Sequence, residues 1–169
     1  MPKPIEGTFP PYFSTYIDKV KEDTVIDAFR NQQAVVNDFF DGIPAEKTNE
    51  GYAPGKWTLK ELLQHIIDAE RIFAYRSLCI ARKEILSLPG FDENVYAANS
   101  QANNRSWKSI VEEMKQVRRS TELLFESFSD EMINQSGLSN NNKITVNALG
   151  FIVAGHLVHH VAVIKERYL

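Results

Sequence analysis

Three of the four histidines fall within one short stretch, Gly155-His156-Leu157-Val158-His159-His160, and the fourth is His65. On a helix, His156 and His160 lie one turn apart on a single face, where two imidazoles can reach one metal ion. Their phase matters more than their spacing. Both sit on a three-four seam read as Val146, Leu149, Val153, His156, His160, Val163 and Arg167, which turns them toward the protein interior. An unpartnered imidazole buried there costs on the order of 1–3 kcal/mol, so something must satisfy each one. His65 shares a register with Leu62, Ala69, Ile72 and Arg76 and also faces inward. Three neutral imidazoles from two helices, with water completing the shell, make an open metal site of the catalytic kind. Ligand type alone does not choose among zinc, nickel, copper and iron.

An ion held with a free position lowers the pKa of bound water to about 7, or holds a thiolate as nucleophile. The expected activity is that of a metal-dependent hydrolase or thiol S-transferase acting on a small electrophile. Asp68, three residues beyond His65, is a candidate acceptor for a ligand imidazole N–H; pairing with Arg71 is the alternative. Arg76 and Arg167 fall on apolar registers and are candidates to clamp an anionic substrate or a small cellular thiol. An ion pair with Asp68, Glu70 or Asp92 is the plainer role. Gln32 and Gln33 interrupt an apolar stripe and are further cavity candidates. His159 points about 100° away from His160 and reads as a flanking residue. Cys79 reads as a small buried hydrophobe. The competing class is a non-catalytic bundle, braced by metal and serving stress response or partner binding, with a homodimer as one form. A structural zinc usually has four protein ligands, so three histidines favour an open site.

Four long helical patterns must position these residues. The first, 24–41, starts at the cap pair Thr24 and Asp27 and stops at Gly42 and Pro44. The second, 58–85, opens on the capping box Thr58-Leu59-Lys60-Glu61, with Trp57 as a staple on Leu62. The third covers 106–128, with Trp107, Ile110, Met114, Val117, Thr121, Leu124 and Phe128 on its stripe. The fourth runs from Thr145 to the C-terminus. Each has one stripe to bury, and a four-helix bundle does so economically. Residues 10–20 read as a short extra helix or arm, and no hairpin is expected. The connection 86–105 is long for a compact domain, and its Phe91-Asp92-Glu93-Asn94 segment is placed to fold over one end of the bundle. One axial difficulty stands out. If the second and fourth helices ran parallel from one level, His65 would lie roughly 6–12 Å from the other two histidines along the axis.

The 169 residues, 43% hydrophobic and 24% charged, suit one domain spanning 1–169 and argue against extended disorder. A net charge of -3 without a basic run leaves no footprint for nucleic acid. A single cysteine allows neither an internal disulfide nor a cysteine-based zinc site. The apolar runs are short of the roughly 18 residues that span a bilayer, and the N-terminus lacks a signal-peptide core. A cytoplasmic location without membrane association is therefore expected.

The segments KWTLKELLQHIIDAERIFAYRSLCIAR, LPGFDEN and GHLVHHVAVIKERYL together resemble the DinB/YfiT-like family of bacterial metalloenzymes, from Tyr12 to Tyr168. The resemblance implies an all-α four-helix bundle, a mirror variant of up-and-down topology, with a long connection between helices 2 and 3. It implies one divalent transition metal, zinc or nickel, on His65, His156 and His160. The family includes thiol S-transferases that use small cellular thiols, and maleylpyruvate isomerase-like relatives.

Overall fold

A computed structural model describes residues 2–169. A 3-10 turn, Pro11–Phe13, leads into the short α1, Ser14–Ile17. Helix α2, Val25–Asn31, continues into a π-helical segment, Val35–Phe39. Helix α3 is Leu59–Ala81, α4 is Glu93–Asn99, α5 is Trp107–Glu126 and α6 is Asp130–Asn134. Strands β1, Ser136–Ser139, and β2, Asn142–Thr145, then lead directly into α7, Val146–Arg167. The bundle consists of the α2–π segment, α3, α5 and α7.

Local chemistry accounts for the helix ends. Thr58 accepts from the Glu61 N–H while the Glu61 carboxylate accepts from the Thr58 N–H, a complete capping box. Ser106 and Thr145 cap α5 and α7 in the same one-way fashion as Thr24 caps α2. Helix α3 stops at Ala81, before the expected end at residue 85. Lys83 adopts φ +66°, and the N–H groups of Lys83 and Glu84 return to the Ile80 and Cys79 carbonyls. That is a Schellman closure, built on lysine where glycine is usual, so no glycine marks it in the sequence. The first helix is likewise less regular than expected, because its final turns widen into the π segment.

The hairpin was not expected. Ser136 pairs with Thr145 and Ser139 with Asn142, and the turn residues Asn140 and Asn141 have φ +49° and +61°. Two successive left-handed residues make the turn that best matches strand twist, and asparagine tolerates that conformation better than most side chains. The hairpin reaches back to the 86–105 connection: the Leu88 N–H donates to the Leu138 carbonyl at 2.9 Å, and the Asn140 N–H to the Leu88 carbonyl at 2.8 Å. That connection is not structureless, since it contains α4, capped by the Asp92 carboxylate.

Helices α3 and α7 run antiparallel. The Tyr168 hydroxyl, at the end of α7, donates to the Trp57 carbonyl, just before α3, at 2.7 Å. At the other end, Ile80 of α3 packs against Gly137 of the hairpin that precedes α7. Helix α7 is apolar enough, at a mean hydropathy of 1.5, to pass for a membrane span, contrary to the reading of short apolar runs. Its apolar residues are instead taken up by the core, from Val146 through Leu157.

The buried face of α5 is Ile110, Val111, Met114, Arg118, Thr121, Glu122 and Phe125, rotated from the expected stripe toward a polar cluster. Arg118 lies against Glu70 of α3 through two parallel bonds of 2.9 Å, with both side chains only 2% exposed. Its third bond goes to the Gln32 carbonyl oxygen at 2.7 Å, and Gln32 donates to the Ala154 carbonyl at 3.0 Å. One guanidinium thus links all four bundle elements. Gln32 is spent here, and Gln33 is exposed. Removing one member of a buried ion pair strands the other charge. Arg118→Met is expected to lower unfolding free energy by about 3–5 kcal/mol. Combining it with Glu70→Leu should recover much of that loss in urea denaturation.

Candidate metal centre

The antiparallel arrangement removes the axial difficulty. His65 lies six residues after the start of α3 at Leu59, and His160 lies seven before the end of α7 at Arg167. The two histidines therefore meet at one level. His156 Nε2 is 3.1 Å from His65 Nε2 and 3.0 Å from His160 Nε2. One ligand atom from each ring lies within 4.8 Å of those from the other two. A ring nitrogen carries one proton or one lone pair in its plane, so His156 can make one well-directed hydrogen bond there, not two. A divalent cation held by His65, His156 and His160 would take a lone pair from each. The two nitrogen–nitrogen spacings at His156, 3.1 and 3.0 Å, suit such a donor set.

Burial sets the charge state. It holds His65 down to about 4 and His160 down to about 3, with the neighbouring imidazoles adding to the effect at His160. The fully enclosed His156 is held well below its ordinary value, first by burial and then by the other histidines. At neutral pH all three rings are uncharged, the form that binds metal. His160 Nδ1 is buried and has no hydrogen-bond partner among the described residues.

Aromatic neighbours hold the rings in place. Trp57 packs on His65 with centroids 4.9 Å apart, and Tyr16 packs edge-on against His156 at 5.2 Å and His159 at 5.5 Å. Tyr16 comes from α1, so the N-terminal arm is part of the site. Gly155 admits it: a Cβ there would lie 2.0 Å from the Tyr16 carbonyl oxygen. The sequence offered Trp57 only as a helix staple and gave no role to Tyr16. Glycine immediately before His156, next to Ala154, was the available signal.

The cluster opens into a cavity of about 450 Å³ whose walls include Phe13, Phe73, Phe91, Glu93 and Arg76. The 86–105 connection supplies Phe91 and Glu93, as its placement suggested. A second cavity of about 410 Å³ reaches His160 and Trp57 from the other side and includes His159 and Arg167.

The remaining candidates fall in different surroundings. Asp68 accepts from Gln64 Nε2 at 2.9 Å, not from an imidazole. Gln64 in turn accepts from Arg105, which also bonds Glu113, so Asp68 belongs to a polar network between α3 and α5. Burial raises the Asp68 pKa. Arg167 is exposed, not on a buried seam, because the last turn of α7 runs out beyond the core; it donates to the Tyr52 hydroxyl at 3.2 Å. Arg76 is buried, yet forms none of the ion pairs expected with Asp68, Glu70 or Asp92. Its Nη2 donates to the Pro89 carbonyl at 2.6 Å. Burial lowers the Arg76 pKa, while the Tyr12 and Tyr96 phenols act in the opposite direction. Cys79 is half-buried against the core.

The sequence matches the DinB superfamily over residues 28–164. The chain belongs to that superfamily. Among solved structures it is similar to YfiT from Bacillus subtilis, described as a probable metal-dependent hydrolase with an unusual four-helix bundle topology. The two share 17% sequence identity with a TM-score of 0.69, over 97% of this chain and 90% of that one. No curated protein gives a match. The superfamily assignment agrees with the all-α, four-helix-bundle architecture, to which the hairpin is an addition.

Two outcomes follow from this geometry. Gly155→Ala is expected to push the arm off α7, because the clash exceeds the helix-propensity gain of about 1 kcal/mol. Thermal unfolding should fall, and limited proteolysis should cut the first 20 residues faster. In metal-free protein, depressed histidine pKa values mean that the unfolded chain binds protons the folded chain refuses below about pH 6.5. Stability should therefore fall as pH drops from 6.5 toward 4, read as a lower urea midpoint at pH 5 than at pH 7.

Proposed function

We propose that His65, His156 and His160 hold one divalent transition ion, zinc or nickel, and that the protein is a metal-dependent enzyme acting on a small electrophile. The reaction is hydrolysis or transfer of a small cellular thiol. The observation that carries this reading is the convergence of three uncharged imidazole nitrogens at the wall of an accessible cavity. When bound, such an ion supplies Lewis acidity and lowers the pKa of a coordinated water or thiol.

The chain's own residues do the rest. Trp57 and Tyr16 fix the ring orientations, and the aromatic walls exclude water from around a ligand. Glu93, on the cavity wall and close enough to influence His65 and Tyr16 electrostatically, is the carboxylate placed to exchange a proton with a ligand. The cavity volume suits a small molecule, not a macromolecule. The description of YfiT as a probable metal-dependent hydrolase supports the hydrolytic form. The alternative, a metal that only braces the helices, is disfavoured because the cluster has three ligands and structural zinc sites usually have four.

His160→Ala should abolish stoichiometric zinc or nickel uptake, measured by elemental analysis, while circular dichroism shows retained helix. Undiminished metal content would overturn the ligand assignment. Phe91→Ala should alter ligand access, seen as a changed rate of ion removal by a bulky chelator, while metal stoichiometry stays intact.

A further inference from the structure

The same cavity contains a cation that the metal reading leaves unused. Arg76 is 6% exposed, and its guanidinium lies 5.6 Å from the Phe73 ring centroid and 5.8 Å from that of Phe91. Among the described residues its one hydrogen bond is to the Pro89 carbonyl, and it forms no ion pair. Glu93 lines the same cavity without pairing to it. The contrast with Arg118 is direct. That guanidinium, 2% exposed, makes three side-chain hydrogen bonds, two to the Glu70 carboxylate and one to Gln32. Buried arginines are normally paired, and two aromatic faces replace only part of a counter-ion's effect.

Arg76 also has a defined place relative to the histidines. It follows His65 by eleven residues, three turns of α3, and so lies on nearly the same helix face. The Phe73 ring stands between the two ends of the cavity, 6.4 Å from the His156 ring. The guanidinium is therefore no more than about 12 Å from that imidazole. A planar fork with free N–H groups is suited to bidentate capture of an oxyanion.

We infer that Arg76 is the anion-binding residue of this cavity: its ligand carries a carboxylate or phosphate that pairs with the guanidinium, and an apolar body that lies along Phe73 toward the histidines. Only the far end of that placement rests on the proposed metal centre. The anion site itself stands on Arg76, Phe73, Phe91 and Pro89. The backbone bonds between Leu88 and the hairpin hold the neighbouring Pro89, whose carbonyl accepts from the guanidinium.

The test uses metal-free protein, so that it reads Arg76 independently of ion binding. Octanoate, octyl phosphate and octanol are titrated into wild type and Arg76→Gln by calorimetry. At least one of the two anions is expected to bind wild type about tenfold or more tightly than octanol, and the preferred anion identifies the ligand as an organic acid or a phosphoester. In Arg76→Gln that preference should vanish while octanol binding is unchanged. No preference in wild type, or the same preference in the variant, overturns the proposal. Should Arg76→Gln fail to fold, the side-chain N–H resonances of wild type decide. An Arg76 Nε–H signal that shifts with the anions and not with octanol supports the site, and one that shifts with neither anion removes it. The metal reading fails separately, through undiminished metal content in His160→Ala.

Discussion

The antiparallel packing of α3 against α7 is the constraint on which the rest of the structure depends. It brings a histidine from early in one helix level with two from the later part of another, although the residues are 91 and 95 positions apart. A parallel pairing would separate the same rings by several ångströms along the axis. The Tyr168–Trp57 hydrogen bond at one end and the Ile80–Gly137 contact at the other hold that register. Trp57 contributes twice, because its carbonyl anchors the end of α7 while its ring rests on His65.

Two buried polar clusters share the interior, and they differ in completeness. The Arg118–Glu70–Gln32 cluster has opposite charges matched in near-ideal geometry, which is how a protein tolerates buried ions. The histidine cluster is uncharged, its nitrogens face one another, and one ring nitrogen has no hydrogen-bond partner among the described residues. Burial keeps the imidazoles in the form a metal requires, whereas in the other cluster ion pairing compensates for burial. The first secures the bundle; the second leaves bonding capacity available for a ligand.

Much of this was legible in the sequence because periodicity and capping act locally. Thr58 with Glu61, Thr145, and the seam phase of His156 and His160 each report a property of one helix, and each appears in the structure. Features that depend on partners distant in sequence were harder to read. Arg118 carries no local sign that Glu70 will meet it, so the expected α5 stripe shares Ile110, Met114 and Thr121 with the buried face but omits Arg118 and Glu122. Lys83 ends α3 without a glycine, and Asn140-Asn141 makes a hairpin turn without the usual Asn-Gly. Tyr16 gave no hint of a role because its contact with His156 depends on how closely the arm crosses Gly155. The expected ion pair for Arg76 failed for the opposite reason: suitable acids exist nearby in sequence, but none is turned toward it.

The way Leu88 is stitched to the hairpin separates two jobs that many enzymes assign to the same segment. The cavity wall around Phe91 hangs from backbone bonds to a two-stranded strap, while the three clustered histidines are carried entirely by long helices. Changes in that strap can therefore reshape the cavity without disturbing the spacing of the imidazoles. A lineage built on this scaffold can vary the doorway and leave the imidazole trio inherited.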